Sequence, residues 1–536
     1  MLACLLLLFY SFVVALVAGI VCIGVFTKLF KSKPDSYHPV IVLLSGLCFL
    51  ALLLQAFHLL HAIDGWAHIY VWVVLLILWY STKDYHPEVE FALTSSVFIT
   101  LGITLIAALV NGIARAGTGD IGDYHLQAIR WMEEFKIVPG IGNVRRQLGN
   151  NSNWFLLHAF TGMHFLGLRS VYTLNTLLLI CGIWYFTPRQ NDTHIVFKSV
   201  TLLYIASMAY RKYVGAVTND YAITIYTLTF FAYLYTQQKL SAEQVLLIAF
   251  VCGSMITFKL SAIATVVIPL WLFMGHFRNK KLLKIISVVL ILIFIPWMYT
   301  TYIHSGYFIY PIQHTGLLHP DWQMPAEQLQ FEREINVANE RVPGVDVATV
   351  LAKSFSEWFP LWVKSLDYFS LLLVIVTVGS ILLQLYRLFV KRISIPPLQW
   401  MLLITVCITL MVWFTQAPAI RFVFGVMVFL AAMNAQQISE KFSLVLKPVY
   451  IHYFTSALLV VGMILFVNNI SNIKWLTPDA YSGNTLITHK LKRGYVYLPE
   501  DNGQCWDAPL PCTGLLNEHL VWRGENMEAG FRIEND

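Results

Sequence analysis

Apolar residues fall into fourteen runs, at roughly 3–26, 38–60, 66–82, 90–113, 171–187, 196–213, 220–236, 243–257, 260–276, 284–303, 367–386, 398–415, 419–435 and 448–468. A bilayer is crossed by about 20 apolar helical residues, and lipid offers the backbone no hydrogen-bond partner, so helices are the economical solution. The pattern predicts an all-α polytopic membrane protein with 12–14 transmembrane helices. One further apolar stretch, Phe155 to Leu168, is broken by His158, Gly162 and His164. It is expected at the interface or inside the bundle.

The polar residues collect in three long segments, 114–170, 304–366 and 471–536. Basic residues decide which side these face. Lys28, Lys31 and Lys33, then Arg189 and Lys198, Lys239, the cluster Arg278 to Lys284, Arg387 to Arg392, and Lys441 with Lys447 all fall on one side of the fourteen-span scheme. By the positive-inside rule that side is cytoplasmic. Six regions follow: transmembrane helices at 1–113, a first non-cytoplasmic loop at 114–170, central helices at 171–303, a second external segment at 304–366, late helices at 367–470 and a small external cap at 471–536.

Composition agrees, with 57% hydrophobic and 12% charged residues against about 25% charged in soluble domains. The first run lacks a basic leader and is too long for a signal-peptide core, so it is expected to be retained. Six of the eight cysteines (Cys4, Cys22, Cys48, Cys181, Cys252 and Cys407) lie in apolar runs and are expected in the core; Cys505 and Cys512 share the polar tail and are the expected disulfide, with catalytic thiols as the alternative. A P-loop and a zinc pattern are both missing. With no visible route to ATP or a nucleotide sugar inside, an activated substrate is expected to arrive through the membrane, and nothing points to nucleic acid.

Chemistry concentrates between Gly119 and Trp154, GDIGDYHLQAIRWMEEFKIVPGIGNVRRQLGNNSNW. Polar groups this dense beside a membrane must meet water, substrate or one another. Asp120 and Asp123 could serve as general base or hold a divalent cation; alternatively they cap and charge the start of a helix from Tyr124 to Phe135. His125 could orient a carboxylate or move a proton, or be polar surface. Glu133 and Glu134 read as a solvated face. Arg145, Arg146 and Asn150 to Asn153 lie in a glycine-punctuated loop suited to close approach, where Asn150-Asn151-Ser152 is also a formal glycosylation sequon.

Charges also mark span boundaries: Arg211 and Lys212 with Asn219 and Asp220, Lys259 between two short runs, and Arg421 after Ala417-Pro418. Boundary cations face a partner inside the bundle or snorkel, and a lipid phosphate suits them. Ser305 to Pro311, SGYFIYP, either folds over the site or forms an interfacial aromatic belt.

Together, GDIGDYHLQAIRWMEEFKIVPGIGN with NSNWF, then SGYFIYP and APAIRF, resemble the GT-C superfamily of lipid-dependent glycosyltransferases, and a group of bacterial membrane proteins within it. Asp120 and the Tyr124-His125 pair match that group's loop, whereas Asp123 stands where an apolar residue is common. The resemblance implies transfer of a sugar from a polyprenyl-phosphate donor to a glycan, lipid or protein acceptor at the non-cytoplasmic face of a bacterial inner membrane. It implies Asp120 as base, with Asp123 or His125 assisting and, if a metal is used, Asp120 and Asp123 as ligands. Arg211, Lys259 and Arg421 are the expected phosphate contacts, and Tyr124, Arg145, Arg146, Asn153 and Tyr310 further substrate contacts. A flippase or transporter of lipid-linked glycans is the alternative; it predicts charges spread through the spans and an inverted repeat, which the sequence does not display.

Overall fold

In the computed structural model, which describes residues 1–91, 93–114, 119–168, 171–211, 213–442, 446–467, 485–500 and 503–534, every one of the fourteen apolar runs is helical. Lys212 and residues 471–484 lie outside the described residues. The chain opens with α1 (Leu2–Phe30), α2 (Pro39–His58), α3 (Gly65–Thr82) and α4 (Ser95–Ala114). The first polar segment holds α5 (Leu126–Glu134) and α6 (Asn153–Gly162). The central group is α7 (Leu174–Phe186), α8 (Ile195–Met208), α9 (Asn219–Thr236), α10 (Ala242–Phe258), α11 (Val267–Gly275), preceded by a 3-10 stretch from Leu260, and α12 (Lys280–Ser305). The second polar segment forms α13 (Ala326–Arg341), α14 (Val347–Leu351) and α15 (Phe355–Ser365), and the late group is α16 (Tyr368–Leu385), α17 (Pro397–Gln416), α18 (Phe424–Phe442) and α19 (Pro448–Val467).

Eight of these are long and apolar enough to cross a membrane, which makes this a multi-pass, all-α membrane protein: α1 to α4, α12, α16, α17 and α19. They divide by burial from the rest. The faces of α12 and α16 expose Ile291, Ile295, Leu372 and Leu382, whereas α7, α9 and α10 are buried nearly all round. An apolar surface left open in this way matches lipid, and helices enclosed by other helices need not match a bilayer's thickness.

Small residues set the closest crossing. A side chain at Gly19 of α1 would overlap the Val42 carbonyl, and one at Gly46 of α2 would overlap that of Ala15. Such approach lets the backbones pack where lipid provides no hydrophobic drive.

Three observations refine the sequence expectations. The stretch Phe155 to Leu168 packs inside the bundle as far as Gly162, the end of the fully buried α6, and emerges beyond it, where Phe165 and Leu166 are exposed. The run beginning at residue 90 becomes helix only at Ser95, because Glu88–Val89 pairs in parallel with Ser36–Tyr37. Cys407 is exposed on α17, unlike the other five apolar-run cysteines, which are buried.

The cap holds two antiparallel pairs, Leu486–Lys490 with Tyr495–Pro499 and Leu520–Trp522 with Phe531–Ile533. Cys505 and Cys512 are disulfide-bonded. The cap docks through its backbone: Trp506 N–H donates to the Gly122 carbonyl at 2.8 Å and Phe531 N–H to that of Pro139 at 2.9 Å.

Candidate functional site

Five chain segments far apart in sequence meet at one end of the bundle. Asp120 follows α4, Asp220 lies in the first turn of α9, Lys259 ends α10, Glu340 is near the end of α13, and Arg421 sits in the short 3-10 turn between α17 and α18. Arg421 is the hub. Its guanidinium is 2.7 Å from Glu340, 3.7 Å from Asp220 and 3.8 Å from Asp120. Lys259 donates to the other Asp220 oxygen and lies over the Phe422 ring at 4.2 Å.

A polar knot positions Lys259 where it can do this. The last α10 carbonyl, that of Phe258, accepts from Ser152 Oγ at 2.7 Å and from Asn219 Nδ2 at 3.0 Å. Asn153 Nδ2 donates to Thr257 at 3.1 Å and also to Gln55. With those groups satisfied, the chain leaves α10 extended at Lys259, φ −155° and ψ 127°. Asn153 therefore belongs to the support beneath the site, buried and engaged, and not to its open surface.

Asp120 does not cap a helix. Its own backbone is helical, φ −60° and ψ −30°, and its side chain makes no capping hydrogen bond to the π-turn Ile121–His125 that follows. Half of its side chain is exposed, against 9% for Asp220. Asp123 is committed elsewhere, accepting from Arg145. Arg146 pairs with Glu332 at 3.3 Å and covers the Phe331 ring. Both arginines are thus partnered by carboxylates within the protein.

His125, expected either as a catalytic aid or as polar surface, is buried between the Tyr124 and Phe155 rings. Burial first, with Lys259 and Arg421 adding to it, pulls its imidazole down to about 4, so it is neutral at neutral pH. Tyr124 is partly buried, and that burial pushes its phenol well up. Glu133, read from sequence as solvated, is buried, and Glu134 pairs with Arg130 at 2.8 Å. Tyr310 lies in a separate small core with Tyr307, Met324 and Leu329, facing the Arg146–Glu332 pair and not Arg421.

Arg211 is the remaining expected phosphate contact. It stacks on Phe369 at 4.1 Å and has no carboxylate at salt-bridge distance among the described residues. It and Arg421 both act on the Tyr213 phenol, which places them on the same end of the bundle. Among the described residues no three His, Cys, Asp or Glu side chains converge as a metal site. A divalent ion at the Asp120–Asp123 doublet would have to displace Arg145 from its second ligand.

Glu340, Glu332 and Asp220 had no assigned role in the sequence reading. Asp220 reads as an ordinary first-turn acid, consistent with its backbone N–H bonding to Thr218 Oγ1 at 3.3 Å. The two glutamates carry a usable signal, since a spacing of eight puts them on one face of α13. Burial raises both carboxyls; Arg146 opposes the rise at Glu332, and Arg421 opposes it at Glu340.

The π-turn itself is held from outside. Gln127 donates to the Trp506 and Ala508 carbonyls at 3.1 and 2.9 Å, and Arg130 to that of Asp507 at 2.7 Å. Gly122 makes the approach feasible, because a Cβ there would come within 2.6 Å of the Trp506 ring. The disulfide-closed loop therefore braces the turn that carries Asp120.

The model of the family described as "Domain of unknown function (DUF8201)" matches residues 1–428. The chain belongs to this family. All five residues of the Arg421 cluster fall inside the matched region, whereas α19 and the cap lie beyond it. No curated protein and no solved structure matches the chain.

Proposed function

We propose that this DUF8201 protein is a GT-C-type glycosyltransferase that moves a sugar from a polyprenyl-phosphate donor to an acceptor hydroxyl at the non-cytoplasmic face. The observation that carries this reading is the convergence of Asp120 with Arg421 at one end of the bundle, Asp120 being the most exposed carboxylate of the cluster. A general base needs that freedom, and Asp123, engaged by Arg145, lacks it.

In the proposed step the acceptor oxygen forms the new bond to the anomeric carbon as the carbon–oxygen bond to phosphate breaks. Its proton passes to Asp120, and the lipid phosphate departs with the electron pair. Direct displacement inverts the anomeric centre. Arg211 is the cation best placed for the phosphate, since Lys259 and Arg421 already face three carboxylates, Asp120, Asp220 and Glu340. Those two cations instead hold the acidic cluster together and keep Asp120 in place. Gathering of these charges at one end, rather than down the length of the spans, favours an enzyme over a flippase.

The test is transfer from radiolabelled polyprenyl-phosphate sugars into a membrane extract, with purified wild type beside Asp120→Asn. Transfer by wild type, reduced by about 100-fold or more in the folded variant, is expected for loss of a general base. Equal rates would remove Asp120 from the chemistry, and flipping of the lipid without transfer would replace the enzyme with a transporter.

A further inference from the structure

Two open clefts of about 460 and 820 Å³ lie on the second external segment, and Gln313 lines both. The smaller runs beside Asn336 and Val337 of α13 to Gln416 and Ala417. It therefore ends one helical turn before Glu340 and four residues before Arg421. The larger continues to the cap, where Asn517 forms its far wall. Together they make a path across the outer surface that leads to the edge of the Arg421 cluster.

The chemistry of this path contrasts with that of the site. Its polar groups are mainly neutral amides, seven in all, among them Gln313, Gln323 and Asn517, beside His314 and His319, with fixed charge confined to Glu327, Glu334 and Arg333. An amide presents two donors and an acceptor, so it can serve a hydroxyl in either role. Val337 and Leu351, both half-buried, add apolar surface between these groups, as the C–H faces of sugar rings require. A polyanion would meet more carboxylates than cations here.

We propose that these joined clefts bind a neutral, hydroxyl-rich glycan chain and present its end to the Asp120–Glu340–Arg421 cluster, so that the acceptor is a saccharide. This rests on the transferase reading and narrows it. The path's position outside the bundle leaves the membrane-facing approach to the lipid donor.

The experiment uses the full chain in lipid nanodiscs on a printed array of neutral glycans, followed by titration of a retained oligosaccharide without donor. Gln313→Trp fills the shared point of both clefts, and Gln328→Trp fills the larger alone. Retention by wild type and at least tenfold weaker binding in Gln313→Trp are expected. Retention of no neutral glycan, equal affinity in both Trp variants and wild type, or preference for an unglycosylated Gly/Ser peptide would overturn the inference. Because binding is read without donor, a glycan held normally by a protein that transfers nothing supports the cleft while striking the transferase reading.

Discussion

The ion pairs around Arg421 and those around Asp321 use the same side-chain types but differ in burial. At the cap, Asp321 accepts from Arg523 at 2.8 and 2.9 Å and from Arg532 at 3.4 Å, while Glu534 accepts from Arg532, Lys492 and Arg493. Asp321 keeps 45% of its side chain exposed. There the partners win: hydrogen bonds from Arg523 lead the lowering of the Asp321 carboxyl, and those from Arg532, Lys492 and Arg493 hold Glu534 down to about 2. At Glu340 the partner is an equally close arginine, yet burial wins and the carboxyl is raised. Proximity to a cation thus does not fix the sign of a shift; water does, by deciding how much of each charge's solvation is lost.

The strongest way to break this comparison is Lys259→Met. It leaves the Asp220 carboxylate, 9% exposed, with its 3.7 Å contact to Arg421 and the Thr218 hydroxyl at 3.4 Å. A buried charge stripped of its partner costs roughly 3–5 kcal/mol, so the detergent-solubilised protein should show a large drop in thermal midpoint. A drop no larger than that of a surface variant would mean water reaches Asp220 freely.

A sharper and smaller test is Glu340→Gln read against pH. A carboxyl raised in the folded state binds more protons there than in the unfolded chain, between its ordinary range and its raised value. Folding stability from this group is therefore present at acid pH and falls as pH rises through that window. The glutamine variant should lack this fall, so its midpoint gains on wild type toward neutral pH. Parallel curves would show that Arg421 fully compensates the burial.

Asp321→Asn is expected to have the least effect. Exposed ion pairs contribute about 1 kcal/mol at most, and salt screens them further, so any shift in midpoint should shrink in concentrated salt. A salt-insensitive loss would place the cap network in the buried class.

Individual charges of the site were legible where they interrupted an apolar run. Lys259 and Arg421 stood out because a cation near a span's end needs a reason, and Asp120 because it opens a polar loop after one. Glu340 offered no such contrast, lying in a polar helix where charge is ordinary. Asp220 was visible as a boundary acid beside Arg211, but the sequence did not pair it with Lys259 and Arg421. Asn153 and His125 misled in the opposite direction: polar type suggested an open surface, and both are buried.

From the chain alone came the helices, because long apolar runs have few other ways to satisfy their backbone in lipid, and the gathering of polar residues into three segments. Which charge meets which was settled only when α4, α9, α10, α13 and α17 brought their ends together. Ion pairing acts over a few ångströms across separations as large as that between Asp120 and Arg421, and no local pattern encodes such a contact. The same holds for the cap: the glycine at position 122 is readable as freedom, but its use as the seat of Trp506 exists only in the packed molecule.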